Sequence, residues 1–146
     1  MAIETRTYQT QSEEETFKLG QLLADELKPG DAVSLEGDLG TGKTAITKGI
    51  ASGLGISEPI TSPTFTLVNT YEGRTTLHHF DVYRVDDPDE LFAIGWEEDF
   101  SDDAITLVEW GNLVSDILPP DTLHILLTRD EQNPDSRTIT LERQVV

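Results

Sequence analysis

The chain has 146 residues, a length typical of one domain, and carries 10 Lys and Arg against 28 Asp and Glu, a formal net charge of −18. This charge disfavours direct binding to DNA, RNA or anionic membranes, because those contacts depend on cationic side chains. The absence of Cys excludes disulfides, thiolate catalysis and Cys-ligated zinc. No stretch approaches the ~20 apolar residues of a membrane span, and the N-terminus lacks a signal-peptide core, so we expect a cytoplasmic protein.

The first part of the chain predicts a strand, a capped helix and a second strand. Residues 3–9 alternate modestly between apolar and polar side chains, which is typical of a short edge strand. Ser12 and Glu15 have the spacing of a capping box, and the apolar residues after them predict a helix that ends at the breaker cluster 28–31. Residues 32–36 are mostly apolar and predict the second strand.

The remainder of the chain predicts mixed helices and strands without a domain boundary. The predicted elements are a glycine-rich turn at 37–44, a helix over 43–54, a β-hairpin over 66–83, a short helix over 88–94, and strands over 105–108, 123–127 and 138–141. From this order we predict a single α/β domain over residues 1–146. Its central sheet should be mostly parallel, with antiparallel edge strands and flanking helices.

A phosphate-binding pattern, G-x-x-x-x-G-K-[ST], lies between the second strand and the second helix. It reads Gly37-Asp38-Leu39-Gly40-Thr41-Gly42-Lys43-Thr44. The glycines let backbone N–H groups turn toward phosphate oxygens, and the following helix presents its N-terminus to the same phosphates. Lys43 would reach the β- and γ-phosphates, and the Thr44 hydroxyl would bind magnesium. The sequence therefore predicts a P-loop NTPase-like domain.

Two carboxylates follow apolar strands and are candidates for the acids that hydrolysis requires. Glu109 comes directly after the apolar residues 105–108, the position of a Walker-B acid. Asp81 follows residues 77–80 in the same way. Ligands of open α/β sheets gather at strand carboxyl ends, which favours a functional role for both. The alternative for each is an ordinary surface acid in a chain that has 28 Asp and Glu.

Three other features are ambiguous in the sequence alone. Ser62 and Thr64 flank a proline and could form a switch segment that senses the γ-phosphate, although an ordinary turn is the simpler interpretation. His78 and His79 should point to opposite faces of a strand, so they cannot share one metal ion. Trp110 is either a core residue or an aromatic wall beside the nucleotide.

Four motifs in a fixed order carry a resemblance to a known family. They are Leu35-Glu36-Gly37-Asp38-Leu39-Gly40-Thr41-Gly42-Lys43-Thr44, Ser62-Pro63-Thr64-Phe65-Thr66-Leu67-Val68, His79-Phe80-Asp81-Val82-Tyr83-Arg84 and Val108-Glu109-Trp110. In this order the chain resembles the TsaE (formerly YjeE) family, small bacterial ATPases needed for the threonylcarbamoyladenosine modification of tRNA. The resemblance runs from about Phe17 to Trp110 and more loosely to the end.

The resemblance implies a single α/β domain that binds and hydrolyses ATP with Mg²⁺, slowly and under stimulation by partners. It implies catalytic roles for Asp81, Glu109 and Lys43, with Thr44 and Glu109 as metal ligands. Ser62 and Thr64 would belong to the switch loop. The nucleotide contacts that it implies are Thr10, Gln11, Ser12, Asp38, Leu39, Gly40, Thr41, Gly42, Lys43, Thr44, Ala45 and Arg137. The first three and the last are matches of position, since those segments vary in the family.

The resemblance also implies partners. TsaE-like proteins act on a complex of TsaB and TsaD, which transfers the threonylcarbamoyl group to tRNAs that read codons starting with adenine. ATP turnover would reset that complex, and the transfer chemistry would lie outside this chain. The protein would therefore meet tRNA only through the complex, and we expect no membrane and no DNA among its partners.

Two other functions use the same phosphate loop. A small-molecule kinase would pass the γ-phosphoryl group to an acceptor, but it usually needs a lid with several Arg, and residues 86–103 contain no Lys or Arg. A nucleotide-sensing module without catalysis would require Asp81 and Glu109 to be inert. Turnover measured with and without acceptors separates the three functions.

Residues 86–103 form an acidic run that lies between the two candidate catalytic acids. Its acids are Asp86, Asp87, Asp89, Glu90, Glu97, Glu98, Asp99, Asp102 and Asp103. It also contains four apolar residues that we expect to be exposed, Leu91, Phe92, Ile94 and Trp96. An acidic rim around an apolar centre is typical of a docking surface for a basic partner, although most acidic runs are solvated faces that aid solubility.

Overall fold

The computed structural model describes residues 2–37, 41–61, 63, 67–96, 100 and 103–145. The strands in this part of the chain are β1 (Ala2–Thr10), β2 (Ala32–Glu36), β3 (Val68–Glu72), β4 (Thr76–Asp81), β5 (Ala104–Glu109), β6 (Leu123–Arg129) and β7 (Arg137–Val145). The helices are α1 (Glu13–Ala24), α2 (Lys43–Gly53), α3 (Asp89–Ala93) and a 3₁₀ helix (Gly111–Ile117). No helix within these ranges is long and apolar enough to cross a membrane.

The strands form one mixed sheet in the order β1-β7-β6-β2-β5-β4-β3. Four central strands, β6, β2, β5 and β4, run parallel, and β1, β7 and β3 join antiparallel. This arrangement confirms the predicted α/β fold with a parallel centre and antiparallel edges. It also confirms the β-hairpin, since β3 and β4 pair antiparallel through the turn that follows Glu72.

The parallel pairing aligns the carboxyl ends of the central strands. Asp81 of β4 and Glu109 of β5 are register partners, and Glu109 is also the partner of Leu35 in β2. Strand β2 ends one residue before Gly37, where the glycine-rich segment begins. Both candidate acids and the start of the phosphate loop therefore lie at one edge of the sheet, where α/β proteins place their ligands.

Helix α1 begins at the predicted capping box. The Ser12 hydroxyl accepts a hydrogen bond of 3.1 Å from the Glu15 amide, and Glu15 Oε1 accepts one of 3.0 Å from the Gln11 amide. The first bond satisfies a backbone donor that the helix leaves unpaired, and the second ties the Glu15 side chain to the residue before the cap. The helix ends at Ala24, earlier than the sequence predicts, and a further turn carries Leu27 into the core, with its amide bonded to the Ala24 carbonyl.

Helices α1 and α2 cross in contact because glycines face each other. A Cβ at Gly20 would lie 2.5 Å from the Ile46 carbonyl oxygen, and one at Gly49 would lie 2.1 Å from the Phe17 carbonyl oxygen. A methyl group at either position would therefore force the helices apart. Together they cover one face of the sheet, and Leu23, Ile46 and Ile50 are buried in the main hydrophobic cluster there.

A second hydrophobic cluster lies on the opposite face, because adjacent strand residues point to opposite sides. Leu107 belongs to the main cluster and Val108 to the second. The buried members of the second cluster are Phe80, Val82, Leu91, Trp96, Val108 and Val114. The Phe80 and Trp96 rings meet edge to face with centroids 4.9 Å apart, and the indole N–H of Trp96 donates to the Ile117 carbonyl at 3.3 Å.

The sequence prediction of exposure is wrong for two residues of the acidic run. Leu91 is 0% exposed and Trp96 is 2% exposed, because they cover the face that β4 and β5 present away from α1 and α2. Phe92 and Ile94 are exposed, as predicted. The acidic run therefore contributes two buried residues to the hydrophobic core, Leu91 and Trp96, while Phe92 and Ile94 remain exposed.

We expect Leu91→Ala to lower the free energy of unfolding by about 2–5 kcal/mol, because it opens a cavity beneath α3. The adjacent Phe92→Ala should cost less than about 1 kcal/mol, since its ring is exposed. Urea denaturation followed by circular dichroism measures both. Equal losses in the two variants would contradict the assignment of Leu91 to the second cluster.

Candidate functional site

The phosphate-binding segment turns on two glycines with positive φ. Gly37 has φ +144°, and a Cβ there would lie 2.5 Å from the Leu127 carbonyl oxygen. Gly42 has φ +102° and directly precedes α2, so the loop ends at the N-terminus of that helix. Among the predicted nucleotide contacts, Asp38, Leu39 and Gly40 lie outside the described residues.

Lys43 folds back onto the loop that precedes it. Its Nζ donates a hydrogen bond to the Gly37 carbonyl and lies 3.4 Å from the centroid of the Trp110 ring. The side chain is 7% exposed, so its charge is held by a carbonyl dipole and an aromatic face rather than by bulk water. Any anion that recruits Lys43 must replace these two contacts.

Trp110 lines the cavity and also packs against the second hydrophobic cluster, so it combines the two roles that the sequence left open. It is half-buried, has the left-handed conformation with φ 65°, and its amide donates to the Leu35 carbonyl at 2.9 Å. The Tyr83 ring packs against the indole with centroids 4.6 Å apart. The next residue, Gly111, leaves no room for a Cβ, which would lie 1.8 Å from Ser34 Oγ.

The two candidate acids differ in their surroundings. Asp81 is half-buried, and its Oδ1 accepts a hydrogen bond of 3.0 Å from the Tyr83 amide. Glu109 is buried, and its Oε2 lies 3.2 Å from Nε2 of His79. The Asp81 carboxylate is therefore closer to solvent, whereas the Glu109 carboxylate is enclosed by protein.

A cavity of about 480 Å³ joins these groups. Its lining residues are Ser12, Glu13, Thr16, Gly42, Lys43, Thr44, Ala45, Asp81, Glu109, Trp110, Asp135 and Arg137. The structure thus brings together eight of the residues predicted from the sequence. Gln11 is not among the lining residues, and Thr41 lines a neighbouring groove instead. Whether these residues bind a nucleotide stays a prediction.

The far wall of the cavity comes from the pairing of the first and last strands. Thr10 and Arg137 are register partners, and the buried Thr10 hydroxyl lies 2.7 Å from that of Thr16. Thr10 therefore supports the wall from behind, and Thr16 and Arg137 line it. The pairing of β1 with β7 explains why the segments around Thr10 and Arg137, which are far apart in the sequence, both lie near the N-terminus of α2.

The sequence did not identify three lining residues, Glu13, Thr16 and Asp135. Glu13 and Thr16 lie in the first turn of α1, close to the capping-box residue Glu15. The predicted start of that helix was therefore the feature of the sequence that could have identified them. Asp135 lies in the turn between β6 and β7, two residues before Arg137, and only the tertiary pairing brings it to the cavity.

The predicted switch residues Ser62 and Thr64 lie outside the described residues. The residue before them is anchored to β3. The Tyr71 hydroxyl lies 3.3 Å from the Thr61 amide nitrogen, and the Asn69 side-chain amide donates to the Thr61 carbonyl at 3.2 Å. The start of this segment is therefore attached to the hairpin whose second strand ends at Asp81.

A second groove of about 620 Å³ lies on the other side of the phosphate loop. It is lined by Gly37, Thr41, Leu126 and Leu127, and Trp110 separates it from the first cavity. Glu36 also lines this groove, and its Oε2 accepts a hydrogen bond of 3.0 Å from the Ser34 hydroxyl and lies 2.6 Å from His124 Nδ1. The indole is thus a wall common to both spaces.

The charged side chains that line the first cavity are two cations, Lys43 and Arg137, and four carboxylates. A bare triphosphate would therefore meet net repulsion from the lining. A divalent cation would reverse this balance, and the oxygen donors available suit a hard ion such as Mg²⁺. The Thr44 hydroxyl and the Glu109 carboxylate line the same cavity, so the residues present fit the magnesium site that the sequence predicts.

The fold and this site define an α/β domain whose G-x-x-x-x-G-K-[ST] segment joins a central strand to a helix. Comparison with known proteins identifies the family. Residues 10–139 match the family described as "Threonylcarbamoyl adenosine biosynthesis protein TsaE". The chain belongs to the TsaE family, which confirms the resemblance inferred from its motifs.

Individual relatives agree with this assignment. The tRNA threonylcarbamoyladenosine biosynthesis protein TsaE of Bacillus subtilis (strain 168) is 44% identical over 134 residues, which cover 91% of this chain and 82% of that protein. The protein of the same name from Treponema pallidum is 43% identical over 81% of this chain and 87% of its own length. A crystal structure of YdiB from Bacillus subtilis superposes with a TM-score of 0.75 at 39% identity, covering 98% of this chain and 88% of that one.

Proposed function

We propose that this protein binds ATP with Mg²⁺ and hydrolyses it, in the cytoplasm, to support a TsaB–TsaD complex that forms threonylcarbamoyladenosine in tRNA. The observation that carries the proposal is the convergence of Lys43, Thr44, Asp81 and Glu109 on one cavity at the carboxyl edge of the sheet. The similarity to tRNA threonylcarbamoyladenosine biosynthesis proteins of other bacteria supports the pathway.

The start of α2 supplies the phosphate-binding groups. The amides of the first turn of α2 point toward the loop, as at any helix N-terminus, and the helix dipole adds a positive potential. Lys43 exchanges its contacts with Gly37 and Trp110 for phosphate oxygens. Because the ammonium starts from a desolvated position, the cost of removing it from water is already met before ATP arrives.

Thr44 and Glu109 would hold Mg²⁺, one through a hydroxyl and the other through a carboxylate. When bound, Mg²⁺ neutralises charge on the β- and γ-phosphates. Glu109 suits this role because it is buried at the end of a central strand, where its position is determined by the pairing of β5 with β2 and β4.

Asp81 would orient the attacking water and accept its proton. Its Oδ1 is engaged by the Tyr83 amide, which fixes the carboxylate at the end of β4, and the residue lines the cavity beside Glu109. The partial exposure of Asp81 allows water to reach it, whereas the buried Glu109 is enclosed. The two acids therefore divide into a water-positioning group and a metal ligand.

The proposed docking surface for the partner complex lies on the side of the sheet that carries the second hydrophobic cluster. It comprises the exposed acids Asp86, Asp87, Asp89, Glu90 and Asp103 around the exposed rings and chains of Phe92 and Ile94. Phe92 opens onto a groove of about 370 Å³ with Ile117 and Pro119. The remaining acids of the run, Glu97, Glu98, Asp99 and Asp102, lie outside the described residues. Charge complementarity favours a basic partner surface here.

Lys43→Ala should weaken ATP affinity by about 100-fold or more, because it removes a charge-assisted contact worth roughly 3 kcal/mol. Lys48→Ala, on the exposed side of the same helix, is the matched control and should leave the affinity unchanged. Titration of ATP with isothermal calorimetry measures both. Wild-type affinity in Lys43→Ala would refute the assignment of the phosphate loop.

Asp81→Asn should lower kcat by about 100-fold or more while leaving MgATP affinity within about 3-fold, since it removes a base but retains the hydrogen bond to the Tyr83 amide. Glu109→Gln should instead raise the Mg²⁺ concentration needed for half-maximal turnover. Asp121→Asn, which is exposed, serves as the control. Phosphate release is measured with and without candidate acceptors.

The turnover experiment also separates the alternatives. Full turnover in Asp81→Asn would show that Asp81 is an ordinary surface acid without a catalytic role. Phosphate transfer to an acceptor, with little release to water, would indicate a kinase. ATP binding without any turnover, alone or with the partner complex, would indicate a nucleotide-sensing module.

The triple change of Asp86, Asp87 and Asp103 to Asn should slow association with a TsaB–TsaD complex by about 10-fold, because it removes charges that steer a basic partner. The control changes three exposed acids elsewhere, Glu14, Asp25 and Glu58, to Gln or Asn, so net charge is matched. Raised salt should slow the unaltered protein as well. Salt-insensitive association would refute the electrostatic part of the proposal.

Purified protein should not shift tRNA in a gel mobility assay at physiological salt, since the formal net charge is −18. The same assay with the TsaB–TsaD complex present should show tRNA bound to the assembly. Tight tRNA binding by this chain alone would show that tRNA is not met only through the complex.

A further inference from the structure

His79 is a buried polar residue that the proposed mechanism does not use. It lies in the middle of β4, 2% exposed, with Leu107 of β5 as its register partner. Its neighbour Leu77, two residues earlier on the same face, belongs to the main hydrophobic cluster beneath α1 and α2. An aliphatic side chain would suit this environment better than an imidazole, which loses its hydration there.

Among the described residues, the imidazole has a polar neighbour in Glu109. Its Nε2 lies 3.2 Å from Oε2 of Glu109, whose side chain is 8% exposed. Within the described part of the chain, neither ring nitrogen of His79 makes a hydrogen bond that satisfies both distance and angle. Nε2 therefore lies close to Oε2 of Glu109, but the two atoms do not form a hydrogen bond of good geometry.

The pair has little value for stability alone. Burying an imidazole beside a carboxylate removes both groups from water, and apolar replacements of similar volume are often neutral or stabilising at such sites. The same contact does constrain the carboxylate. With Oε2 directed at His79, the Glu109 side chain has a defined orientation at the floor of the cavity that it lines.

We infer that His79 is a positioning residue that orients the Glu109 carboxylate for the divalent cation of the nucleotide site. The 3.2 Å approach of Nε2 to Oε2 restricts the orientation of the carboxylate, and its second oxygen would be the one available to the cation. This inference rests on the proposed function, since it concerns the Mg²⁺ that accompanies ATP. His79 does not line the cavity and would not contact the nucleotide, so its effect passes through Glu109.

The adjacent histidine provides a matched control. His78 points to the other face of β4, where its Nδ1 lies 2.9 Å from the Thr70 hydroxyl, and it is partly buried. Changing either histidine to Leu alters the composition of the same strand identically. Only the change at position 79 removes a group that touches Glu109.

The test follows Mg²⁺-dependent binding of the β,γ-imido analogue of ATP in the full-length chain. A Trp96→Phe background leaves Trp110, which lines the cavity, as the one fluorophore of its type. His79→Leu should raise the Mg²⁺ midpoint by about 10-fold or more, the usual effect of losing a group that orients a metal ligand. His79→Gln, which retains an N–H donor of similar reach, should stay within about 3-fold, and His78→Leu within about 2-fold.

Binding of the analogue in EDTA should be the same in all variants, because His79 acts only through the metal ligand. His79→Asn gives a second variant, which keeps a polar group but withdraws it from Glu109, and it should match the Leu variant. A wild-type midpoint in a folded His79→Leu or His79→Asn protein would overturn the positioning role alone. Failure of the unaltered protein to bind the analogue at any Mg²⁺ concentration would overturn the proposed function and this inference with it.

Discussion

The parallel pairing of β5 with both β2 and β4 determines where every other part of the site lies. Because Glu109 is the register partner of Asp81 on one side and of Leu35 on the other, the two acids and the start of the phosphate loop share one edge of the sheet. A slip of one residue in β5 would turn Glu109 toward the second hydrophobic cluster and Val108 toward the helices. The complete burial of β5 on both faces opposes such a slip.

The helical layer adds the other half of the cavity. Gly20 and Gly49 allow α1 and α2 to touch, so the first turn of α1 lies beside the first turn of α2. The β1–β7 pairing then brings Arg137 to the same place. The cavity is thus assembled from the loop, from both helices and from the two ends of the chain, although its candidate chemistry resides in a few residues at strand ends.

Local chemistry explains what could be predicted from the sequence. The glycine spacing of the phosphate loop, the Ser12–Glu15 cap and the apolar strands that precede Asp81 and Glu109 are each encoded within about ten residues. Burial of Leu91 and Trp96 could not be predicted, because their partners Phe80 and Val108 come from strands whose order only the tertiary fold establishes. The approach of His79 to Glu109 likewise depends on strand register, which periodicity in one segment does not reveal.

Trp110 connects the two spaces on either side of the phosphate loop. Its backbone has little freedom, since the residue occupies the left-handed region and Gly111 presses directly on Ser34. The indole lines both spaces, so a turn of the ring about its own side-chain bonds would change the shape of both at once. Lys43 Nζ lies over the same ring, so such a change would also alter the surroundings of the phosphate-binding cation.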